Sequence, residues 1–400
     1  MEIPIMENRN VIMFGLQPWD IEIGSNFKNM AKEISRNNKV LYVNRPLDRI
    51  SYYKKRKDKK VQTRLQSIRE NKNRLEEVEK NIWVLNPGII LESINLLPQG
   101  FVYNYLNKKN NKKIASEILS SAEKLGFEKM VMIIDNDFFN ALYLKELVRP
   151  DVFIYYVRDY LLSQKYFKKH GEKAEPMLMK KADAVVANSS YLNDYANKYN
   201  TSTDIGQGCE VEDFIKPDHD MPGDIIHLQG PRIGYCGMLT AARLDIALLE
   251  FIAKKRPAWN IILTGPEDDQ FASSSLHAIK NIYFLGAKKP SQLPAYVHGF
   301  DVCINPQVLN QMTIGNYPRK IDEYLAAGKP VVATDTRAMS FFADYVYLCD
   351  TPESYINNIE RALSEKVDSY LKEKRVAFAR SHTWPASVNK LYEVINNLKK

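Results

Sequence analysis

Two alternating series of short apolar runs and helical stripes constrain this chain more than any other feature. Val11-Ile12-Met13-Phe14-Gly15 has strand length and ends in glycine. Phe27, Met30, Ala31 and Ile34 then recur at helical spacing between Asn26 and Arg36, and Val40-Leu41-Tyr42-Val43 follows. Strand, helix and strand over about thirty residues make a βαβ unit, whose crossover forces a parallel pair. Residues 51–80 are charged and weakly periodic, which predicts a mobile or helical insertion. The series resumes with strands at Ile82-Trp83-Val84-Leu85, Met130 to Ile134, Val152 to Tyr156 and Ala184 to Ala187. Helices are predicted over Lys113 to Leu125, stopped by Gly126, and over Ala174 to Lys181. A second series runs from Ile233-Gly234-Tyr235-Cys236-Gly237 through a helix at Asp245 to Lys254. Its strands follow at Asn260 to Gly265, Ile282 to Gly286, Val302 to Ile304 and Val331 to Ala333. A segment rich in Gly, Pro and Asp between Tyr199 and Pro231 separates the two. The expectation is an α/β chain of two Rossmann-like, doubly wound domains facing a cleft, 1–205 and 206–382, with a terminal helix over 383–400.

The 400 residues, 45% of them hydrophobic, suit two domains with real cores. No apolar run approaches the roughly 20 residues that span a membrane, and the first ten residues are too polar for a signal peptide. A cytoplasmic location is expected. Cys209, Cys236, Cys303 and Cys349 are far apart without metal spacing, and Cys236 and Cys303 sit in apolar runs as core thiols do. The net charge of +8 is uneven: residues 1–200 hold 34 Lys/Arg against 24 Asp/Glu, residues 201–400 hold 22 against 24. The densest run is Lys54-Lys55-Arg56-Lys57-Asp58-Lys59-Lys60, and a second is Lys108-Lys109-Asn110-Asn111-Lys112-Lys113. Such runs are either solvated loops or contacts to an anionic membrane, where each cation contributes about 1 kcal/mol. The Lys54–Lys60 region is the candidate for peripheral attachment to the inner face of the plasma membrane. Nucleic acid is not expected, since no recognition motif or aromatic platform accompanies the charge.

The richest chemistry lies in Asn316-Tyr317-Pro318-Arg319-Lys320-Ile321-Asp322-Glu323-Tyr324-Leu325-Ala326-Ala327-Gly328-Lys329-Pro330-Val331-Val332. Pro318 suits a helix start, Gly328 stops that helix, and Pro330 prevents its continuation before a buried strand. Lys320 and Glu323 are three apart and share a face; Ile321, Tyr324 and Leu325 share another. As an ordinary αβ unit this carries a surface Lys–Glu pair. As a site it suits a nucleoside diphosphate, with Lys320 and free N–H groups on phosphate and Glu323 on the ribose hydroxyls. The stretch resembles the donor-site signature of the retaining family-four (group 1) glycosyltransferases of GT-B fold. It is most similar to the bacterial branch that builds cell-surface polysaccharides such as teichuronic acid. There the text runs roughly Pro-x-Lys-x-x-Glu-Tyr-Leu-Ala-x-Gly-x-Pro-Val-Val. The resemblance covers nearly the whole chain, strongly from Lys181 onward. It includes Ala182 to Leu192, Gly206 to Phe214 and Pro231 to Gly237.

Gly237 lets a backbone approach a ligand closely. Arg243, after that turn, can hold phosphate oxygens and neutralise a leaving diphosphate, or stand as a surface arginine. The resemblance implies an Arg and a Lys in this loop; only Arg243 fits, which makes Lys320 the second cation. Gly265 and Pro266 end a strand, where α/β folds place ligands, and the resemblance puts this loop near the nucleobase. Family members carry a pair of glutamates eight positions apart; Glu323 is the second, but position 315 is Gly. Thr313, Asn316 and local N–H groups are candidates to replace the first. In the first domain, Asp137 in Asp135-Asn136-Asp137 and Asp159 after Arg158 stand at strand ends. There they can orient or deprotonate an acceptor hydroxyl, or simply close turns. Gly15, Trp19 and Gly24 belong to the first βα loop and either shape the acceptor site or pack it. His170 reads as a surface histidine at a helix end.

Three readings follow. The first is a hexosyl-type glycosyltransferase that takes a UDP- or GDP-sugar as donor substrate, binds no permanent cofactor and acts on a cell-surface polysaccharide or lipid-linked glycan. Arg243 and Lys320 would stabilise the departing diphosphate. Retention is implied by the resemblance. No Asp-x-Asp stands at a donor position, so transfer without metal is expected of this fold; the terminal helix is expected, by resemblance, to cross back onto the first domain. The second reading is a GT-B nucleotide-sugar epimerase. The third is a non-catalytic membrane-associated subunit. A dinucleotide dehydrogenase is disfavoured, since no Gly-x-Gly-x-x-Gly follows a strand.

Overall fold

Val11, Ile12, Met13 and Phe14 are all fully buried, as a strand covered on both faces must be. They form β1 (Asn10–Gly15) in a computed structural model that describes residues 6–20, 25–54, 58–70, 74–216, 219–315, 317–365 and 369–398. The chain divides into two compact units, Met1–Gly206 with Trp384–Lys400, and Gln207–Thr383. Among the described residues the first unit builds an eight-stranded sheet. After β1 come β2 (Lys39–Val43), β3 (Leu47–Asp48), β4 (Leu75–Glu79), β5 (Ile82–Leu85), β6 (Ile90–Leu91), β7 (Met130–Asp135), β8 (Val152–Val157), β9 (Ala184–Ala187) and β10 (Ser202–Asp204). The order across the large sheet is β10-β9-β8-β7-β1-β2-β5-β4, and β3 pairs with β6 apart from it. β1 is central and parallel to both neighbours, with Val11 opposite Val40 on one side and Val131 on the other. β4 is the one antiparallel strand among these pairs; its Glu76, Glu77 and Glu79 are exposed, and charge protects this edge.

The helix Trp384–Asn397 belongs to this first unit. Trp384, Val388, Leu391 and Ile395 enter the same core as Val11 and Phe27, and Asn38 Nδ2 donates to Tyr392 Oη at 3.2 Å. The charged stretch 51–80 holds the helices Arg49–Lys54 and Lys59–Glu70 and then β4. Lys55, Arg56 and Lys57 of the basic run lie outside the described residues, as does Gly24. The helix expected from Lys113 starts at Phe101 and runs to Lys124, and the one expected from Ala174 runs Lys165–Lys181 with Pro176 inside it. His170 is therefore mid-helix and buried, not a surface residue at a helix end. Its ring stacks on Tyr103 with centroids 4.1 Å apart, and burial lowers its pKa. Gly171, beside it, serves packing: a Cβ there would lie 2.6 Å from Leu162 Cδ2.

The second unit is a six-stranded parallel sheet of β11 (Arg232–Cys236), β12 (Asn260–Thr264), β13 (Ile282–Phe284), β14 (Val302–Asn305), β15 (Val331–Thr334) and β16 (Tyr347–Cys349). Its order is β13-β12-β11-β14-β15-β16. Both units are thus α/β with mainly parallel sheets. All four cysteines are free and buried. Among the described residues no helix is long and apolar enough to cross a membrane.

Candidate active site

In the second unit, β11 and β12 both end in glycines of positive φ, Gly237 at 147° and Gly265 at 149°. The two turns lie directly against each other. Gly237 N donates to Thr264 O at 2.8 Å, and a Cβ on Gly265 would sit 1.9 Å from the Gly237 carbonyl oxygen. Leu239 N donates to Pro266 O at 2.8 Å and Asp268 N to Leu239 O at 2.9 Å. Asp268 also accepts from Ala241 N at 3.0 Å and from Phe271 N at 2.8 Å. The loops after β11 and β12 therefore form one hydrogen-bonded shelf at the carboxyl end of the sheet.

The helix Lys320–Ala326 delivers a cation to that shelf. Lys320 Nζ donates to Tyr235 Oη at 2.5 Å, and a Cβ on Gly237 would lie 2.9 Å from the same Nζ. Two further ammonium donors remain for a ligand. Tyr324 fixes the helix, accepting from Cys236 N at 2.8 Å, while Ile321, Tyr324 and Leu325 are fully buried. Glu323 shares the Lys320 face with a side chain 18% exposed, 3.5 Å from Arg319 Nη2. Burial raises its pKa, against the opposing pull of Arg319 and Lys320. The helix opens two residues later than Pro318 suggested. Arg319 is its N-cap, and the buried Pro318 contributes a carbonyl that accepts from Ile321 N at 2.9 Å. Asn316 lies outside the described residues. Thr313 does not face a ligand as expected: its hydroxyl donates to Val308 O and accepts from Asn310 N at 3.1 Å, closing a turn. Arg243 is exposed on the shelf loop, held by its backbone to Thr240 O and Val308 N; its guanidinium has no partner among the described residues.

Sequence reasoning missed Asp322, between the two expected ligand contacts. It is fully buried, 2.9 Å from His382 Nδ1, and accepts from Cys209 Sγ at 3.2 Å. The i, i+3 pattern drew attention to its neighbours, and His382 lies sixty residues away in sequence.

In the first unit, the ends of β7 and β8 are tied through Asn136, whose φ is 53°. Its Oδ1 accepts from Arg158 N at 2.6 Å and Asp159 N at 3.1 Å. Asp135 is fully buried on Arg158 Nε at 3.0 Å, and burial raises its pKa despite that partner. Asp137 is also buried: its oxygens accept from Asn140 N at 3.1 Å and Asn140 Nδ2 at 2.7 Å, with Arg45 Nε at 3.4 Å. Asp159 keeps 30% side-chain exposure beside Arg158 Nη1 at 2.9 Å. Trp19 packs its loop, edge-on to Tyr42 at 5.2 Å and under Lys28 Nζ at 4.7 Å. Gly15 lies where a Cβ would be 2.6 Å from Asp135 Cβ, so it too serves packing.

Beside these strand ends is a cavity of about 720 Å³. Leu47, Leu91 and Ile94 supply its apolar wall, and Arg45, Arg64, Lys165 and Lys169 bring cations to it. These cations come from three separate segments, Arg45 after β2, Arg64 in the helix Lys59–Glu70, and Lys165 and Lys169 in the helix Lys165–Lys181, so no single stretch of the sequence announces them.

Residues 230–365 match the family described as Glycosyl transferases group 1. That span contains the whole shelf: Gly237, Arg243, Gly265, Pro266, Lys320 and Glu323. The chain is also similar to the putative teichuronic acid biosynthesis glycosyltransferase TuaH of Bacillus subtilis (strain 168), 28% identical over 239 residues, which is 57% of this chain and 60% of that protein. The chain thus matches less than two thirds of this curated relative's length. Its fold is that of the GT-B glycosyltransferases. HepE of Anabaena, solved in complex with UDP, superposes with a TM-score of 0.66 at 14% identity over 97% of this chain and 100% of that one. A trehalose-6-phosphate structure from E. coli, bound with UDP-2-fluoro glucose, gives 0.69 at 11% identity over 98% and 99%. The shelf thus lies on a GT-B scaffold similar over nearly its whole length to these two structures.

Proposed function

We propose that this protein is a glycosyltransferase that moves a hexosyl group from a nucleoside-diphosphate sugar to a glycan or lipid-linked acceptor of the cell envelope. The observation that carries the reading is the shelf of Gly237 and Gly265 with Lys320 against it, inside the group 1 segment. The glycines admit a diphosphate close to the backbone. Lys320 and Arg243 supply two cations to the departing diphosphate, where charge grows in the transition state. Glu323 accepts the ribose hydroxyls, which also offsets the cost of its burial. Gly265 and Pro266 border the base. UDP is placed first among donors because HepE and the E. coli structure carry UDP and a UDP-sugar, with GDP second. The similarity to TuaH, a putative teichuronic acid biosynthesis glycosyltransferase, supports a polysaccharide acceptor.

The cavity of the first unit takes the acceptor; Lys165 and Lys169 bring positive charge to it, while Arg45 and Arg64 are paired with Asp137 and Asp20. Asp159, the more exposed of the two candidate carboxylates, accepts the proton of the attacking hydroxyl. Asp137, enclosed by Asn140 and Arg45, holds the loop beneath it. The acceptor oxygen bonds to the anomeric carbon as the bond to the diphosphate breaks on the same face, giving retention without metal. The setting is the cytoplasmic side of the membrane.

A thermal-shift panel of nucleoside diphosphates and their sugars tests this on wild type, Glu323→Ala and Arg243→Ala. At a hundredfold excess over Kd, a ligand of the native state adds about 2.7 kcal/mol, a rise of roughly 5 °C or more. The expected result is a shift with one base, lost in both variants. A well-folded wild type that shifts with no nucleotide would overturn the reading in favour of a non-catalytic subunit. Turnover of the sugar nucleotide without acceptor would favour an epimerase.

A further inference from the structure

The helix Phe101–Lys124 is amphipathic in an inverted sense over its first three turns. Its inward face there is largely asparagine: Asn107, Asn110 and Asn111 are buried, beside Tyr103. Asn110 accepts from Glu92 N and donates to Glu92 O, both at 2.9 Å. Asn111 Nδ2 donates to Phe139 O at 3.1 Å, and its Oδ1 accepts from Tyr143 N at 3.0 Å. The outward face carries the hydrophobes. Phe101 is 84% exposed and Tyr105 60%, their rings stacked with centroids 6.4 Å apart, and Val102 is exposed beside them.

Neighbouring segments extend this patch. Leu96, 73% exposed, lies on the short turn Ile94–Leu96, and the exposed Tyr166 opens the helix Lys165–Lys181. Asn95 Nδ2 donates to Tyr166 O at 2.9 Å, and Lys169 Nζ donates to Leu96 O at 3.1 Å. Tyr103 stacks on His170 between the two helices. Continuing the Phe101–Tyr105 stripe at helical spacing, Lys108, Lys109 and Lys112 are exposed. From Ile94 to Lys113 the chain has four lysines and no acidic residue. Lys165 and Lys168 flank the patch from the other helix, where the nearby acid, Glu172, lies 3.7 Å from Lys168.

We propose that this face docks the first unit onto an anionic lipid bilayer, with Leu96, Phe101, Val102 and Tyr105 entering the interfacial layer and Lys108, Lys109 and Lys112 contacting headgroups. A contiguous exposed apolar patch needs a partner. Lysine is depleted in protein–protein interfaces, whereas aromatic side chains beside lysines match the membrane interface. A second copy of the chain is a poor occupant, because two-fold pairing would set these lysines against their own copies. The assignment differs from the Lys54–Lys60 run that the sequence suggested. Ile94, Asn95, Leu96, Lys165, Tyr166 and Lys169 also line the 720 Å³ cavity, so the patch sits at the edge of that cavity. Only the link to a lipid-linked acceptor rests on the glycosyltransferase reading; docking itself does not.

The test is co-sedimentation of the full chain with vesicles of phosphatidylglycerol and phosphatidylcholine, and of phosphatidylcholine alone. Wild type is compared with Phe101→Ser/Val102→Ser/Tyr105→Ser, Lys108→Glu/Lys109→Glu/Lys112→Glu and Lys54→Glu/Lys59→Glu/Lys60→Glu. Thermal melts check that each variant is folded, and sedimentation velocity checks for self-association. The expected result is binding to the anionic vesicles alone, weakened roughly tenfold or more in the apolar variant and roughly a hundredfold in the Lys108 set. The Lys54 set should bind within a few-fold of wild type. Wild type left in the supernatant overturns the proposal. So does an apolar variant that binds like wild type, binding that follows the Lys54 set, or a dimer broken by the apolar variant.

Discussion

Glu175 offers the sharpest test of the first unit's packing. It lies fully buried in the helix Lys165–Lys181, accepting from Tyr155 Oη at 2.9 Å and Tyr195 Oη at 3.0 Å. Burial pushes its pKa from 4.5 up to about 7, although both hydroxyls pull it down. Below pH 4.5 the carboxyl is protonated in both the folded and the unfolded chain. Between 4.5 and about 7 the unfolded chain gives up the proton and the folded one keeps it, so stability falls as pH rises, and it levels off above 7. At 1.36 kcal/mol per unit the loss is about 3 kcal/mol. Glu175→Gln keeps the shape and removes the titration; one tyrosine still donates to the amide oxygen and the other can accept from its nitrogen. The variant should therefore match wild type near pH 4.5 and exceed it by up to about 3 kcal/mol at pH 8. Urea unfolding at the two pH values, followed by tryptophan fluorescence, measures this. Trp19, Trp83 and Trp384 lie in the first unit and only Trp259 in the second, so the signal reports mainly on the unit concerned. An equal gap between the two proteins at both pH values would refute the argument, because the buried carboxyl would then titrate as it does in the unfolded chain.

Two further substitutions probe the shelf and its support. Gly265→Ala places a Cβ 1.9 Å from the Gly237 carbonyl oxygen at a φ of 149°, so the second unit should lose about 3 kcal/mol, read as a lowered melting temperature. Asp322→Ala strips the buried acceptor from His382 and Cys209 and should cost about 2–3 kcal/mol in urea unfolding. Asp322→Asn, which keeps an acceptor, should cost less, and equal losses in the two variants would show that the hydrogen bonds contribute little.

The strands were legible because their signal is local. Val11 to Phe14 or Val331 to Ala333 can be fully apolar only where helices cover both faces of a sheet, and each lies in a parallel strand. The shelf of the second unit was legible for a related reason: a glycine that ends a strand and a Lys–Glu pair at i, i+3 are short patterns. Gly237 and Lys320, 83 positions apart, meet because the parallel sheet collects strand ends on one side. What the sequence hid depends on contacts between distant segments. His170 read as a surface residue at a helix end because the ring that covers it, Tyr103, is not written beside it. Asp322 waits on His382, and the cations of the 720 Å³ cavity come from one loop and two separate helices.

The misread start of the helix Phe101–Lys124 is of another kind. Periodicity locates a helix by assuming that its apolar stripe faces inward. Here the inward stripe is Tyr103, Asn107, Asn110 and Asn111; Asn110 and Asn111 bond the backbone of Glu92 and Phe139, and Asn107 Oδ1 accepts from Asn111 Nδ2, while the buried Asn107 Nδ2 has no partner among the described residues. The apolar stripe of Phe101 and Tyr105 faces outward. The rule thus failed at both faces at once, and for the same residues. Asn110 and Asn111, with Tyr103 stacked on His170, hold this end of the helix to its unit and leave Phe101, Val102 and Tyr105 facing outward, for a surface that is not part of this chain. Where local rules fail in concert, the departure marks a place selected for something other than the stability of the isolated fold. That is why the start of this helix, rather than the denser run at Lys54–Lys60, is the membrane contact to test.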